Sequence, residues 1–259
     1  MSRLKRKHLQ QELRILPIPL ANEIRPGDSL IEKLLAALRQ ARISFRSGDI
    51  LIVKHKIVSK AEGRQVNLTT VRPSASSIAW SRRYQLDPRV VELALAQSKR
   101  VVRRKRGVLI TETPSGLVCA NSGVDVSNVD GGRHALLLPE DPDRSAARLH
   151  RELKRHLHLS VPVIITDSFG RPWREGLTEV AIGVAGMKVL HDYRGASDPH
   201  GYRLRVSLEA VADELACAAG LVCGKLARTP ACLVRGFAYQ PGRGSARDLI
   251  RLAARDLFR

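Results

Sequence analysis

Four short polar blocks interrupt an otherwise apolar chain, and their side chains are the kinds that hold phosphate and metal. The first, KHKIVSKAEGR at 54–64, places His55, Lys56 and Lys60 directly after the apolar run GDILIV. Ammonium groups and backbone N–H donors neutralise phosphate oxygens, so the block reads as a phosphate-holding loop or as a basic surface turn. The second, CANSGVDVSN at 119–128, crowds Asn121, Asp125, Ser127 and Asn128 around Gly123. Such oxygens suit a hard cation, Mg2+ or Mn2+. The competing reading is an Asx-rich turn whose side chains bond their own backbone. The third, VIITDSFGRPWREG at 163–176, delivers Asp167 and Ser168 to the end of a β-branched run, followed by Arg171 and Arg174. The acid and hydroxyl offer a second hard-ligand pair, and the guanidinium groups can grip phosphate or carboxylate. Two acidic sites on one polyphosphate would clamp its oxygens while charge spreads over a transferred group. The fourth block, DYRGASD at 192–198 with HGYR at 200–203, is a polar loop that could close over a substrate or simply lie on the surface.

The common alternatives are missing. The chain has no G-x-x-x-x-G-K-[ST], no G-x-G-x-x-G after a strand, no G-x-S-x-G and no H-E-x-x-H. Its nearest approach to a Walker loop is Gly220–Lys225, one residue short and followed by Leu226. The cysteines, Cys119, Cys217, Cys223 and Cys232, form no C-x-x-C pair. They read as reduced core thiols of a cytoplasmic protein.

Those blocks need a frame. A chain of 259 residues, 44% hydrophobic, can build one large core or two small ones. No apolar run is long enough to span a membrane, and no signal-peptide core follows the basic N-terminus, which points to the cytoplasm. Periodicity predicts helices at 29–42, 87–99, 142–157, 206–226 and 244–257. Short β-branched runs predict strands at Ile50–Val53, Val108–Thr111, Leu117–Ala120, Val161–Thr166, Val180–Val184 and Ala231–Val234, with a hairpin turn at Thr113–Gly116. Strands and helices interleave irregularly, which favours an α+β fold.

The formal net charge is +19. RLKRK at 3–7 and RVVRRKR at 100–106 are clusters, and Arg243, Arg247, Arg251, Arg255 and Arg259 would form a stripe on a C-terminal helix. Such a field favours anionic partners, from nucleotides to nucleic acid. Aromatic residues are only 4%, so a base-stacking platform is poorly supplied and nucleic acid is the weaker reading.

Taken together and in order, the blocks GDILIVKHKIVSKAEGR, PSGLVCANSGVDVSN, IITDSFGRPWREGLTEVAIGVAGM, DYRG, ADELA and LVRGF resemble the coenzyme F420-0:γ-glutamyl ligase family, across roughly residues 15 to 259. The resemblance implies a stand-alone ligase domain at 15–259 after a basic extension at 1–14. It implies an α+β fold of two intertwined subdomains in a homodimer, with no Walker-type P-loop. It implies GTP-dependent addition of L-glutamate to F420-0 through an acyl phosphate, with further γ-linked glutamates, and two divalent ions, Mg2+ or Mn2+. A monovalent cation is a further candidate cofactor. Carried over by position, Asp125, Asp167 and Ser168 match metal ligands. His55, Lys56, Lys60, Asn128, Gly224 and Lys225 fall on nucleotide contacts. Asp167, Arg171 and Arg174 are the catalytic candidates. The chain departs from the pattern at Leu20–Ile24, where the family often has Gly-Leu/Ile-Pro, and at Lys225, where an acid or amide is common.

Overall fold

The computed structural model describes residues 12–127 and 130–257. In chain order its strands are β1 (Arg14–Ile18), β2 (Ile50–Lys54), β3 (Gln65–Asn67), β4 (Arg100–Lys105), β5 (Val108–Glu112), β6 (Val118–Ala120), β7 (His134–Leu136), β8 (Val163–Arg171), β9 (Arg174–Ala185), β10 (His191–Asp192), β11 (Leu208–Glu209) and β12 (Ala231–Arg235). The helices are α1 (Leu30–Gln40), α2 (His55–Ala61), α3 (Ala75–Tyr84), α4 (Pro88–Ala96), α5 (Pro142–Leu157) and α6 (Val211–Cys223).

The central sheet runs β1-β12-β2-β8-β9, and only its β2–β8 pair is parallel. Alternate side chains leave opposite faces of a strand. Leu51, Val53, Val163 and Ile165 meet Leu34 of α1 and Leu149 and Leu153 of α5 on one face. Ile50, Ile52, Ile164 and Val184 meet Leu215 and Ala219 of α6 on the other. With both faces covered, the strands read as continuous apolar runs rather than alternating ones. A smaller unit packs alongside, with β4-β5-β6 as one sheet, β3 paired to β7, and α3 and α4 beside them. The mixed, largely antiparallel arrangement is α+β.

The free edge of β9 is closed by carboxylates. Ala181 N–H donates to Asp213 of α6, and Val184 N–H donates to Asp143 of α5, each at 2.8 Å. A bulge in the β8–β9 ladder between Ile165 and Thr166 rotates these donors out of register.

Helix α5 fills the predicted span because Asp141 caps it and Pro142 opens it. Two expectations change. The helix expected over 244–257 is two 3-10 turns, Ala246–Leu249 and Ala253–Arg255, separated by extended Ile250. Ile250 packs against the core, which a continuous helix would prevent, so the arginines from 243 to 255 form no stripe. Arg259 and the cluster at 3–7 lie outside the described residues. The helix expected over 206–226 begins only at Val211, since Leu208–Glu209 pairs with His191–Asp192. The basic run at 100–106 is strand β4 and its turn.

Candidate functional site

Strand β2 passes directly into α2 at Lys54, without a capping side chain. The segment after β2 is therefore a short helix, not the loop expected from its sequence. The change from strand to helix fans three consecutive basic side chains toward three carboxylates. Lys54 Nζ lies 2.5 Å from Glu179 Oε1, His55 Nε2 3.3 Å from Asp167 Oδ1, and Lys56 Nζ 2.7 Å from Asp125 Oδ2. Further along α2, Lys60 pairs with Glu23, inside the stretch that departs from the family pattern.

Asp125 is held by a two-way backbone pairing with Leu136, and its Oδ1 accepts the Ser127 N–H at 2.6 Å. Lys56 also donates to Ser127 Oγ at 2.8 Å. The preceding turn depends on Gly123. Its φ is +70°, and a Cβ there would come within 2.7 Å of Leu138. Asn121, expected among the metal-facing oxygens, instead turns its Oδ1 toward the Leu109 N–H on β5, so it follows neither the metal reading nor a local Asx turn. Asn128 lies outside the described residues.

Asp167 and Ser168 sit within β8, not at its end, because the strand continues to Arg171. As neighbours in a strand they point to opposite faces. Asp167 faces His55. Ser168 Oγ donates to Glu179 Oε1 at 2.6 Å, Thr166 Oγ1 donates to Glu179 Oε2 at 3.0 Å, and Lys225 Nζ donates to Ser168 Oγ at 3.2 Å. Lys225 is aimed by Gly224, whose φ of +56° and ψ of −166° ends α6 in a conformation reserved for glycine. The acid-hydroxyl pair thus serves two adjoining clusters, one around Asp125 and Asp167, the other around Glu179.

Burial pushes the Asp167 carboxyl up. The charge and proximity of His55 and the Ser168 N–H more than offset this, so it stays below the usual carboxylate range despite the like charge of Asp125. Asp125 is also raised by burial, and is brought below its ordinary value by Lys56 and Ser127. Both acids are ionised at neutral pH. His55 Nε2 is buried and lacks an aligned hydrogen-bond acceptor, since Asp167 sits near enough to attract it but off line.

The two ionised oxygen donors, Asp125 and Asp167, fit one hard cation, with Lys56 as a displaceable counter-charge and the unaligned His55 Nε2 beside Asp167. The second cluster does not fit a divalent ion, because it sets a single carboxylate, Glu179, against two ammonium groups, Lys54 and Lys225, where the first offers two carboxylates. Among the described residues no three His, Cys, Asp or Glu side chains converge as a ready-made metal cage.

Arg171 and Arg174 face each other across the tip of the β8–β9 hairpin. Four residues of strand separate Arg171 from Asp167, roughly 13 Å at the usual rise, so the structure does not bring these arginines to the acids. Arg171 Nη2 donates to the Glu175 carbonyl, and its Nε is buried without a partner. The block at 192–203 is a two-stranded arm, held by β10–β11 and a bridge between Ser197 and Arg203.

Lys54 opens the block read as phosphate-holding, whereas Thr166 and its partner Glu179 were absent from the sequence-derived set. A charged side chain inside an apolar strand demands a partner. The opposite charges in ILIVK and TEVAIGVA were the available clue.

Residues 20–236 match the profile of the F420-0:gamma-glutamyl ligase family. A coenzyme F420:L-glutamate ligase of Methanopyrus kandleri is 43% identical over 252 residues, covering 95% of this chain and 98% of that protein. A ligase of the same description from Methanothermobacter thermautotrophicus is 39% identical over 90% of this chain and 93% of its own length. A third, from Methanocaldococcus jannaschii, is 39% identical over 85% of this chain and 88% of its own.

Proposed function

The chain belongs to the F420-0:gamma-glutamyl ligase family, and from that premise we propose that it joins L-glutamate to coenzyme F420-0 at the expense of GTP. One observation carries the assignment to this site. Asp125 and Asp167, distant in sequence, are gathered beneath the basic run Lys54–Lys56, where a polyphosphate and a cation can replace the internal contacts. In our reading a carboxylate oxygen of F420-0 attacks the γ-phosphorus, GDP leaves, and an acyl phosphate forms. The glutamate amine then attacks the acyl carbon, inorganic phosphate leaves and an amide results. Repetition on the γ-carboxylate extends the tail.

His55, Lys56, Lys60 and Lys225 hold the phosphates, joined by Asn128 and the Gly224 turn. Asp125 and Asp167 hold one Mg2+ or Mn2+, which neutralises phosphate oxygens when bound. The expectation of two divalent ions narrows to one, with the ammonium of Lys225 serving at Ser168. A monovalent cation is a further candidate beside the phosphates. Arg171 and Arg174 take the carboxylates of an incoming substrate at the hairpin tip.

The ligase domain spans 15–259 and, in this reading, works in the cytoplasm as a homodimer of intertwined subdomains. Exposed Trp173, Leu177, Leu221 and Leu226 support that assembly, since apolar side chains of this size favour a covering partner. No helix among the described residues is long and apolar enough to cross a membrane.

The test is mass spectrometry of F420-0 incubated with the protein, L-glutamate, Mg2+ or Mn2+ and GTP, with a GTP-free control. Gain of glutamyl units only with GTP is the expected result. Folded protein that binds GTP yet adds no glutamate would favour a ligase of this fold acting on another carboxylate.

A further inference from the structure

A second concave surface lies on the α5 flank of β9, away from the acid clusters. The cleft measures about 540 Å3, within the usual size of small-molecule sites. Arg144 and Arg151 lie two turns apart on one face of α5, with small Ala147 between them leaving the space open. Arg243 and Arg247 rise from the opposite wall, on and just after the glycine-rich turn. The floor is bare because side chains cannot fit there. A Cβ on Gly244 would sit 2.0 Å from the Met187 carbonyl oxygen, and one on Gly186 would sit 2.9 Å from the His150 ring.

The acids at the rim are already committed. Asp143 accepts from the Val184 and Ala246 N–H groups and from Ser245 Oγ. Asp141 caps α5 through the Arg144 N–H and pairs with Arg247. Among the described residues, Arg144, Arg151 and Arg243 have no carboxylate partner. Three uncompensated guanidinium forks around a bare floor match adjacent oxyanions, each fork able to bind a phosphate or carboxylate through two hydrogen bonds.

We propose that this cleft binds a small polyanion, a molecule carrying two or more neighbouring phosphate or carboxylate groups. The site is independent of the ligase assignment. It is concave, and its lining holds no Phe, Tyr or Trp on which a base could stack, while its one ring, His150, is tied to the Val161 carbonyl, which favours a small molecule over a nucleic acid.

The test is calorimetric titration of the full chain at low salt with EDTA, using tripolyphosphate and a tri-γ-glutamate peptide as separate probes. The expected result is one saturable site per chain for at least one probe, and the probe that binds identifies the oxyanion. Arg151→Gln with Arg243→Gln weakens it at least tenfold. Arg155→Gln, outside the cleft, and Lys56→Gln, in the ligase site, change it less than twofold. No saturable binding of either probe overturns the proposal. So does binding that survives the double arginine variant or is lost with Lys56→Gln. A 20-base-pair duplex that binds more tightly than both probes and loses affinity with the same double variant overturns the small-molecule assignment.

Discussion

The Lys54–Glu179 pair offers the sharpest perturbation. Its side chains are only 18% and 8% exposed, and the ammonium and carboxylate are 2.5 Å apart. Glu179 also accepts from Thr166 and Ser168, and it lies so close to α6 that a Cβ on Gly220 would come within 2.6 Å of its Cγ. Solvent cannot replace a lost partner in so confined a space. Removing one member of a buried pair costs about 3–5 kcal/mol, because the other charge stays buried and uncompensated. Lys54→Met and Glu179→Gln should each lower stability by roughly 3 kcal/mol at neutral pH, near the bottom of that range because two hydroxyls still donate to Glu179 in the first and an amide oxygen still accepts from Lys54 in the second. The double variant leaves no orphaned charge. It should be more stable than the sum of the single losses predicts by about 2 kcal/mol, a coupling typical of directly contacting groups. Urea unfolding followed by far-ultraviolet circular dichroism, with slopes compared across the four proteins, measures the cycle. Losses that add to within about 0.5 kcal/mol would refute the view that these charges hold each other.

Asp167→Asn should abolish glutamate addition while leaving the unfolding free energy from urea titration within about 1 kcal/mol of wild type, since the amide keeps shape and a hydrogen-bonding oxygen; unchanged turnover sinks its assignment. Asp213 is raised above its ordinary value by burial, only partly offset by the Ala181 N–H. The native state then binds more protons than the unfolded one, so this group's contribution to stability falls as pH rises from about 4, the unfolded carboxylate value, through the raised native value. Asp213→Asn removes that decline, and its urea midpoint should gain on wild type between pH 4 and pH 7; a pH-independent difference contradicts the argument. Iodoacetamide at pH 8 should label exposed Cys217 in the native protein, slowly because burial and nearby acids raise its thiol. Cys119, pushed up to about 12, with buried Cys223 and Cys232, should react only after unfolding, and peptide mass mapping that finds early labelling of those three would contradict their burial.

The legible parts of the fold were those whose local chemistry agreed with their packing. In α5, a capping acid, a proline at the first turn and an apolar stripe ending in Leu153 all indicate one helix. The C-terminal arginine repeat had the right spacing for a helix, but Ile250 packs against one apolar cluster of the sheet and Leu249 against the other, and this tertiary packing overrides the local periodicity. Helix α2 was hidden because it is seven residues long and follows a strand without a cap, which leaves too little periodicity to read. Of the candidate site, Asp125, Asp167 and Ser168 were visible as oxygens in apolar surroundings. Their division into two clusters was not, since it depends on which face of β8 each residue takes and on Glu179 arriving across the hairpin. Arg171 and Arg174 looked adjacent in sequence to the acids but are carried away by the length of an extended chain.

The position of β12 has a consequence for how the protein must be made. This late strand lies between the first two, pairing Arg235 with Arg14 on one side and Ala231 with Val53 on the other. During synthesis β1 and β2 therefore cannot complete their ladders until residues beyond 230 have left the ribosome. The Lys54 N–H donates to the Pro230 carbonyl at 2.8 Å, so the start of the basic run is pinned by one of the last elements to emerge. The parallel pairing of Leu51 with Val163 also waits for a long intervening segment, and closing such distant contacts slows folding. Nascent chains halted before β12 should be protease-sensitive throughout the sheet, and the carboxylates should meet their cations only as folding ends.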